Sequence, residues 1–117
     1  MGDYDRSRLI AAIAKFNEGD YFECHEIIED IWFDVRDDSR NFYQGLLHTA
    51  VAFYHLTKKN NFKGTLIQID KAIDKLDNYG DIYQGIDLLK LKAQLKRISG
   101  KLKKKEVPKR LPKIHMQ

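Results

Sequence analysis

Cysteine is almost missing from this chain of 117 residues: Cys24 stands alone, so no internal disulfide can form and a disulfide-stapled scaffold is excluded. Proline is nearly as scarce, with two residues, Pro108 and Pro112, both near the end of the sequence. Seven glycines are too few for a collagen-like or elastic repeat. Nowhere do roughly 18 apolar residues follow one another, as a membrane-spanning helix requires. The opening Met1-Gly2-Asp3-Tyr4-Asp5-Arg6 lacks the basic start and apolar stretch of a secretory leader, and a cytoplasmic location is the expectation. Also missing are a Gly-rich phosphate loop, a kinase signature and a dinucleotide fingerprint, which weighs against nucleotide-dependent chemistry. What is present, 43% hydrophobic and 32% charged residues, is the composition of one globular domain able to bury a core.

Apolar residues recur at three- and four-residue spacing almost throughout, and strand-like alternation is absent, so the expected class is all-α. Five helices are predicted. The first covers Tyr4 to Asn17 with Leu9, Ile10, Ile13 and Phe16 on one face and Gly19 as its stop. Asp20 caps the second, Tyr21 to Val35, and the third runs from Arg40 to Lys58. The fourth spans Phe62 to Asn78, and the fifth Ile82 to Lys101, after a break at Tyr79-Gly80-Asp81. Shifting the chain by 40 residues lays Phe22 on Phe62, Tyr43-Gln44-Gly45 on Tyr83-Gln84-Gly85 and Gly19-Asp20 on Lys59-Asn60. The expectation is a compact bundle of about five helices with tetratricopeptide-like helical hairpins. Ten aromatic residues at helical spacing, from Tyr4 through Phe22 and Phe33 to Phe62, read mostly as core.

Charge divides the chain in two. Residues 1–100 hold 14 basic and 16 acidic side chains, whereas the last 17 carry Lys101, Lys103, Lys104, Lys105, Lys109, Arg110 and Lys113 against one acid, Glu106. This suggests a helical domain over 1–100 and a flexible basic tail over 101–117, because Pro108 and Pro112 end the last helix. Such a tail could meet RNA, DNA or an anionic surface, or fold back on the acidic body. It contains no aromatic ring to stack on a base.

The chemistry-bearing residues gather in two stripes. His25, Glu29 and Trp32 stand at i, i+4 and i+7 on the second helix, and Gln44, His48, Val51 and His55 repeat that spacing on the third. Trp32 and Ile28 argue that the first stripe turns inward, with Glu29 buried and Glu26 more exposed. If the stripes face one another, His25, Glu29, Trp32, Gln44, His48 and His55 form one buried polar cluster between the two helices, with Gly45 permitting close approach.

The segments Gly19-Asp20-Tyr21-Phe22-Glu23-Cys24-His25-Glu26-Ile27-Ile28-Glu29-Asp30-Ile31-Trp32 and Tyr43-Gln44-Gly45 to His55 resemble a family of small bacterial and archaeal helical proteins catalogued only as a domain of unknown function. That family is marked by a His-x-x-x-Glu-x-x-Trp motif, suspected of binding metal, followed by a Gln-Gly helix with a later histidine. The resemblance places the motif on His25, Glu29 and Trp32 and further family positions on Gln44, Gly45 and His55, and it implies an all-helical fold.

Three uses of the cluster follow. As a metal centre, His25 and Glu29 would be ligands for a divalent ion together with His48 or His55, although the order is His-Glu-x-x-Glu and not the zincin His-Glu-x-x-His. As an acid/base site, Glu29 would orient His25, or a histidine of the third helix would activate Cys24, which cannot pair with its neighbour His25 about 100° away on the same helix. As a structural network, the same groups would satisfy one another in the core, with the Trp32 indole donating to a neighbour. Without an oxyanion loop, a binding or scaffolding role with a protein or peptide partner is favoured over catalysis.

Overall fold

A computed structural model describes residues 3–117, with side chains from Arg6 onward. The side chain of Tyr4 therefore lies outside the described residues. Among these there are five α-helices, α1 (Asp3–Asn17), α2 (Tyr21–Asp34), α3 (Arg40–Lys59), α4 (Phe62–Leu76) and α5 (Leu88–Lys103), with a 3-10 turn at Asp77–Tyr79 and a two-strand hairpin of β1 (Ile82–Tyr83) and β2 (Ile86–Asp87). The all-α expectation holds. None of the described helices is long and apolar enough to cross a membrane.

Local chemistry sets the helix starts. The Asp20 carboxylate accepts from the Glu23 amide at 3.2 Å, the Asn61 amide oxygen from Gly64 at 2.9 Å, and the Asp87 carboxylate from Lys90 at 2.9 Å. Each satisfies a donor that the first helical turn leaves free. The α1–α2 and α3–α4 linkers also match: a left-handed residue, Gly19 at φ 84° or Asn60 at φ 48°, comes directly before the capping Asp20 or Asn61. The two turns therefore share one local geometry at a shift of 41, not at the expected shift of 40.

The other half of the repeat does not hold. Tyr43-Gln44-Gly45 lies within α3, whereas Tyr83-Gln84-Gly85 turns the hairpin. Gln84 and Gly85 are both left-handed, at φ 50° and 78°, the conformation a two-residue hairpin loop needs. The pairing Ile82 with Asp87 and Tyr83 with Ile86 leaves those two residues as the loop. The fifth helix therefore starts at Leu88, not Ile82, and ends at Lys103, beyond the expected boundary at 100.

Helix α3 packs on α2 along one side and on α4 along the other. Its buried face carries Phe42, Tyr43, Leu46, Ala50 and Phe53. Phe53 meets Phe16 and Tyr21 with ring centres 6.2 and 5.9 Å away. On the α4 side, Thr65 Oγ1 donates to the carbonyls of Ala52 at 3.1 Å and Asn61 at 2.8 Å. The face expected for α1 needs one correction: Leu9, Ala12, Ile13 and Phe16 are buried, but Ile10 is 48% exposed. Phe22 and Phe33 likewise leave the core, at 51% and 66% exposure.

The basic segment after α5 runs back along the bundle instead of extending from it. Pro108, Pro112 and Ile114 are buried. Asn17 holds Ile114 through both backbone groups, its Nδ2 donating to the carbonyl at 2.9 Å and its Oδ1 accepting from the amide at 2.8 Å. The Asp87 amide donates to the His115 carbonyl at 2.9 Å and the Gln117 amide to the Gly85 carbonyl at 2.7 Å, tying the segment to the hairpin. Apolar residues interspersed among the lysines account for this return, since burying them is favourable.

Candidate functional site

The second face of α3 is half-buried along its length, through Gln44, Leu47, His48, Val51, Tyr54 and His55. From Gln44 to His55 this stripe spans about 16 Å at the helical rise. It forms the floor between α2 and α4, and each wall takes one histidine. His48 turns to α4, where its Nδ1 lies 2.8 Å from Gln68 Oε1; an amide oxygen only accepts, so the ring donates from Nδ1. His55 turns toward α2 and lines a cavity of about 220 Å³ with Phe22, His25, Val51 and Tyr54. The Phe22 ring spans its rim, with centres 5.9 Å from His25 and 5.8 Å from Tyr54.

The six expected cluster residues are thus divided among four places. His25 and His55 share the cavity, and His25 Nε2 lies 3.3 Å from Glu29 Oε2. His48 belongs to Gln68. Trp32 is engaged at the far end of α2, where the Arg40 guanidinium stacks on its ring 4.1 Å from the centroid. Gln44 is half-buried on the α3 stripe. The expected inward turn of His25 and Glu29 is corrected: the core stripe of α2 is Tyr21, Cys24, Ile28 and Ile31, one position round the helix. Glu29 and Glu26 are equally exposed, at 52% and 51% of their side chains, so Glu29 is not the buried member of the pair. The expected indole bond is corrected too, because Trp32 Nε1 is buried without a hydrogen-bond partner among the described residues.

These positions decide the chemistry. Among the described residues no three His, Cys, Asp or Glu side chains come together to hold an ion. The donor set His25, Glu29, His48 and His55 does not fit a divalent metal in this arrangement, because an ion needs several converging ligands. Cys24 faces the core, 3% exposed. Burial, and secondarily the Asp20 charge, pushes its thiol up to about 12, which favours the protonated thiol at neutral pH over the thiolate that a nucleophile needs. Burial also pushes the Tyr21 hydroxyl up to about 12, with Cys24 adding to the effect. At His48, burial lowers the pKa, the Gln68 bond opposes this, and Lys71 and Lys75 reinforce it. His55 Nδ1 is buried beside the cavity with no partner among the described residues.

A family model described as Domain of unknown function (DUF309) matches residues 9–67. The chain belongs to the DUF309 family. The matched stretch runs from Leu9 in α1 to Ile67 in α4 and includes every residue lining the His25–His55 cavity; α5 and the basic segment lie outside it. An uncharacterized protein of Aquifex aeolicus is 28% identical over 86 residues, covering 73% of this chain and 26% of its own length. The uncharacterized protein YpuF of Bacillus subtilis is 43% identical over 42 residues, 35% of this chain and 24% of its own length. The chain thus spans about a quarter of each of these curated relatives.

Sequence reasoning missed Phe22, Tyr54 and Gln68. Phe22 stands three residues before His25 on the same helix face, which is the signal that places it beside the imidazole. Gln68 gave no signal, since its role depends on how α4 packs.

Proposed function

We propose that this chain is a cytoplasmic protein-binding module. The half-exposed stripe of α3 receives an amphipathic helix of a partner, and one apolar side chain of that helix enters the Phe22–His25–Val51–Tyr54–His55 cavity. The carrying observation is that cavity: about 220 Å³, apolar on most sides, with one buried imidazole nitrogen unpartnered. A small, mostly apolar pocket suits an anchoring side chain better than a reacting group. The floor of about 16 Å accommodates roughly three turns of helix, the span of i, i+3/i+4 and i+7 anchors. Coverage of about a quarter of longer relatives supports a module reading, and one deeply buried thiol fits a reducing compartment. Hydrolytic or metal-dependent use of His25 and Glu29 with His48 or His55 has less support, since His48 turns away to Gln68 and no three such side chains among the described residues come together to hold an ion.

A displayed library of amphipathic helical peptides, selected on the full chain, tests this. Enriched peptides should carry apolar residues at helical spacing, and their binding should shift the amide resonances from Gln44 to His55. Phe22→Ala should weaken binding about tenfold, equivalent to about 1.4 kcal/mol, and Val51→Glu should abolish it. Shifts on another face, or unchanged affinity in both variants, would show the reading to be wrong.

A further inference from the structure

From Leu88 to the end, the chain holds eleven basic residues and one acid, against ten basic and sixteen acidic residues before it. The molecule is therefore electrically bipolar, and its positive end is concave. A cavity of about 1310 Å³ opens between α5 and the returning C-terminal segment, with Lys90, Arg97 and Lys101 on the helix wall and Lys109, Arg110 and Lys113 on the other. Backbone-directed bonds hold the walls together: Gln94 accepts from the Lys113 amide at 3.0 Å and donates to its carbonyl at 2.9 Å, and Arg97 donates to the Arg110 carbonyl at 3.4 Å. The one acid lining the cleft, Glu106, lies 3.8 Å from Lys101. Lys113 is occupied as well, donating to the Asn17 carbonyl at the end of α1. Lys90, Lys109 and Arg110 are exposed and pair with no acid among the described residues.

We propose that this cleft binds the phosphodiester backbone of a nucleic acid duplex, without reading its sequence. The cations are set in two facing rows, so a curved, charged ridge satisfies both rows, whereas a flat membrane reaches the rim of the cleft. Lys90 to Lys101 spans about 16 Å along α5, close to five duplex steps of roughly 3.4 Å. The lining contains no Phe, Tyr or Trp, and single-strand binders rely on such rings for base stacking. A fixed cleft also changes what the sequence alone suggested: the contact surface includes Lys90 and Arg97 of the helix, and not a loose tail by itself. It lies apart from the α3 groove, so the two readings stand or fall separately.

Fluorescence anisotropy of the full chain with labelled duplex DNA and duplex RNA of random sequence tests the proposal. Four phosphate contacts, from Lys90, Arg97, Lys109 and Arg110, make the expected loss of affinity about 150-fold between roughly 50 and 200 mM salt. The double variant Lys109→Ala, Arg110→Ala should bind at least tenfold more weakly, with a salt slope lower by about 1.8. The double variant Lys58→Ala, Lys63→Ala removes the same charge outside the cleft and should stay within twofold of the parent chain. Equal losses in the two double variants, absence of duplex binding at low salt, or binding to phosphatidylserine vesicles alone would each overturn the proposal.

Discussion

The guanidinium of Arg40 lies over the Trp32 ring, 4.1 Å from its centre, while its nitrogen donates to the carbonyls of Trp32 at 2.9 Å and Val35 at 2.8 Å. One side chain at the start of α3 thus satisfies carbonyls at the end of α2 and ties the two helices together. A cation at a helix C-terminus is also favoured by the macrodipole. Stacking contributes about 0.5–1 kcal/mol and hydrogen bonds to a charged group about 1.5–3 kcal/mol. We expect Arg40→Ala to cost about 2 kcal/mol and Arg40→Lys about half of that, because lysine lacks the planar fork. Urea unfolding followed by Trp32 fluorescence, from the single tryptophan of the chain, measures both. Equal costs would mean that charge alone matters.

His48 makes stability depend on pH. Its pKa is lowered in the folded protein from 6.5, first by burial, so between the lowered and the ordinary value the unfolded chain binds more protons than the folded one. Stability then rises with pH across that window. It should fall as pH drops through 6.5 and below, and level off once pH is under the folded value. His48→Gln should flatten this part of the profile. Proton NMR titration of the ring, with unfolding curves at several pH values, checks the sign; a profile unchanged by His48→Gln would assign the dependence elsewhere.

At Gly45 two effects of opposite sign compete. Alanine favours a helix over glycine by about 1 kcal/mol. A β-carbon at this position would, however, lie 2.7 Å from Leu76 Cδ2, 2.8 Å from Leu76 Cγ and 3.3 Å from Lys75 Cβ. Leu76 is fully buried, so any shift that makes room must disturb packed core, and overpacking a filled core costs about 1–3 kcal/mol. Gly45→Ala should therefore destabilise by about 1 kcal/mol or more in chemical denaturation, whereas a purely propensity-driven site would be stabilised.

Glu29 and Glu26 flank His25, 3.3 Å from its Nε2 and 3.9 Å from its Nδ1, with similar exposure. Exposed pairs of this kind contribute little, since water screens them. Glu29→Ala and Glu26→Ala should each change stability by less than about 0.5 kcal/mol. A loss well above that for Glu29 alone would return it to the buried role that helical spacing first suggested.

The helices were legible because their punctuation is local: Gly19-Asp20, Asn60-Asn61 and the apolar spacing all act within a few residues. The hairpin was hidden by a false likeness, Tyr83-Gln84-Gly85 to Tyr43-Gln44-Gly45. A residue followed by glycine between Ile82-Tyr83 and Ile86-Asp87 has the pattern of a two-residue turn, and Asp87 caps the helix that follows. Helical spacing put His25 and Glu29 on one stripe of α2 and Gln44, His48 and His55 on one stripe of α3, although His48 and His55 turn to different helices, and it could not say which side of each stripe meets a neighbour. That depended on the α2 core running through Cys24 and Ile28, which leaves His25 at the margin. The course of residues 104–117 was illegible for a different reason: its partners, Asn17, Gly85 and Gln94, are distant in sequence.

Because those partners are distant, the returning segment acts as a strap across the bundle, and one residue tests it. Asn17 uses its amide to satisfy both backbone groups of Ile114, next to a side chain that is 5% exposed. Asn17→Ala strands a half-buried donor and acceptor, at a cost of about 1–3 kcal/mol. Asn78→Ala removes longer bonds, 3.4 and 3.2 Å, on an exposed turn, and should cost under about 0.5 kcal/mol. If the strap opens as a unit, hydrogen exchange in Asn17→Ala should speed up together at the amides of Ile114, Asp87 and Gln117, which share the segment's bonding, while Thr65 in the α3–α4 hairpin keeps its protection. Faster exchange at Ile114 alone would mean that the contacts to the hairpin hold the segment without Asn17.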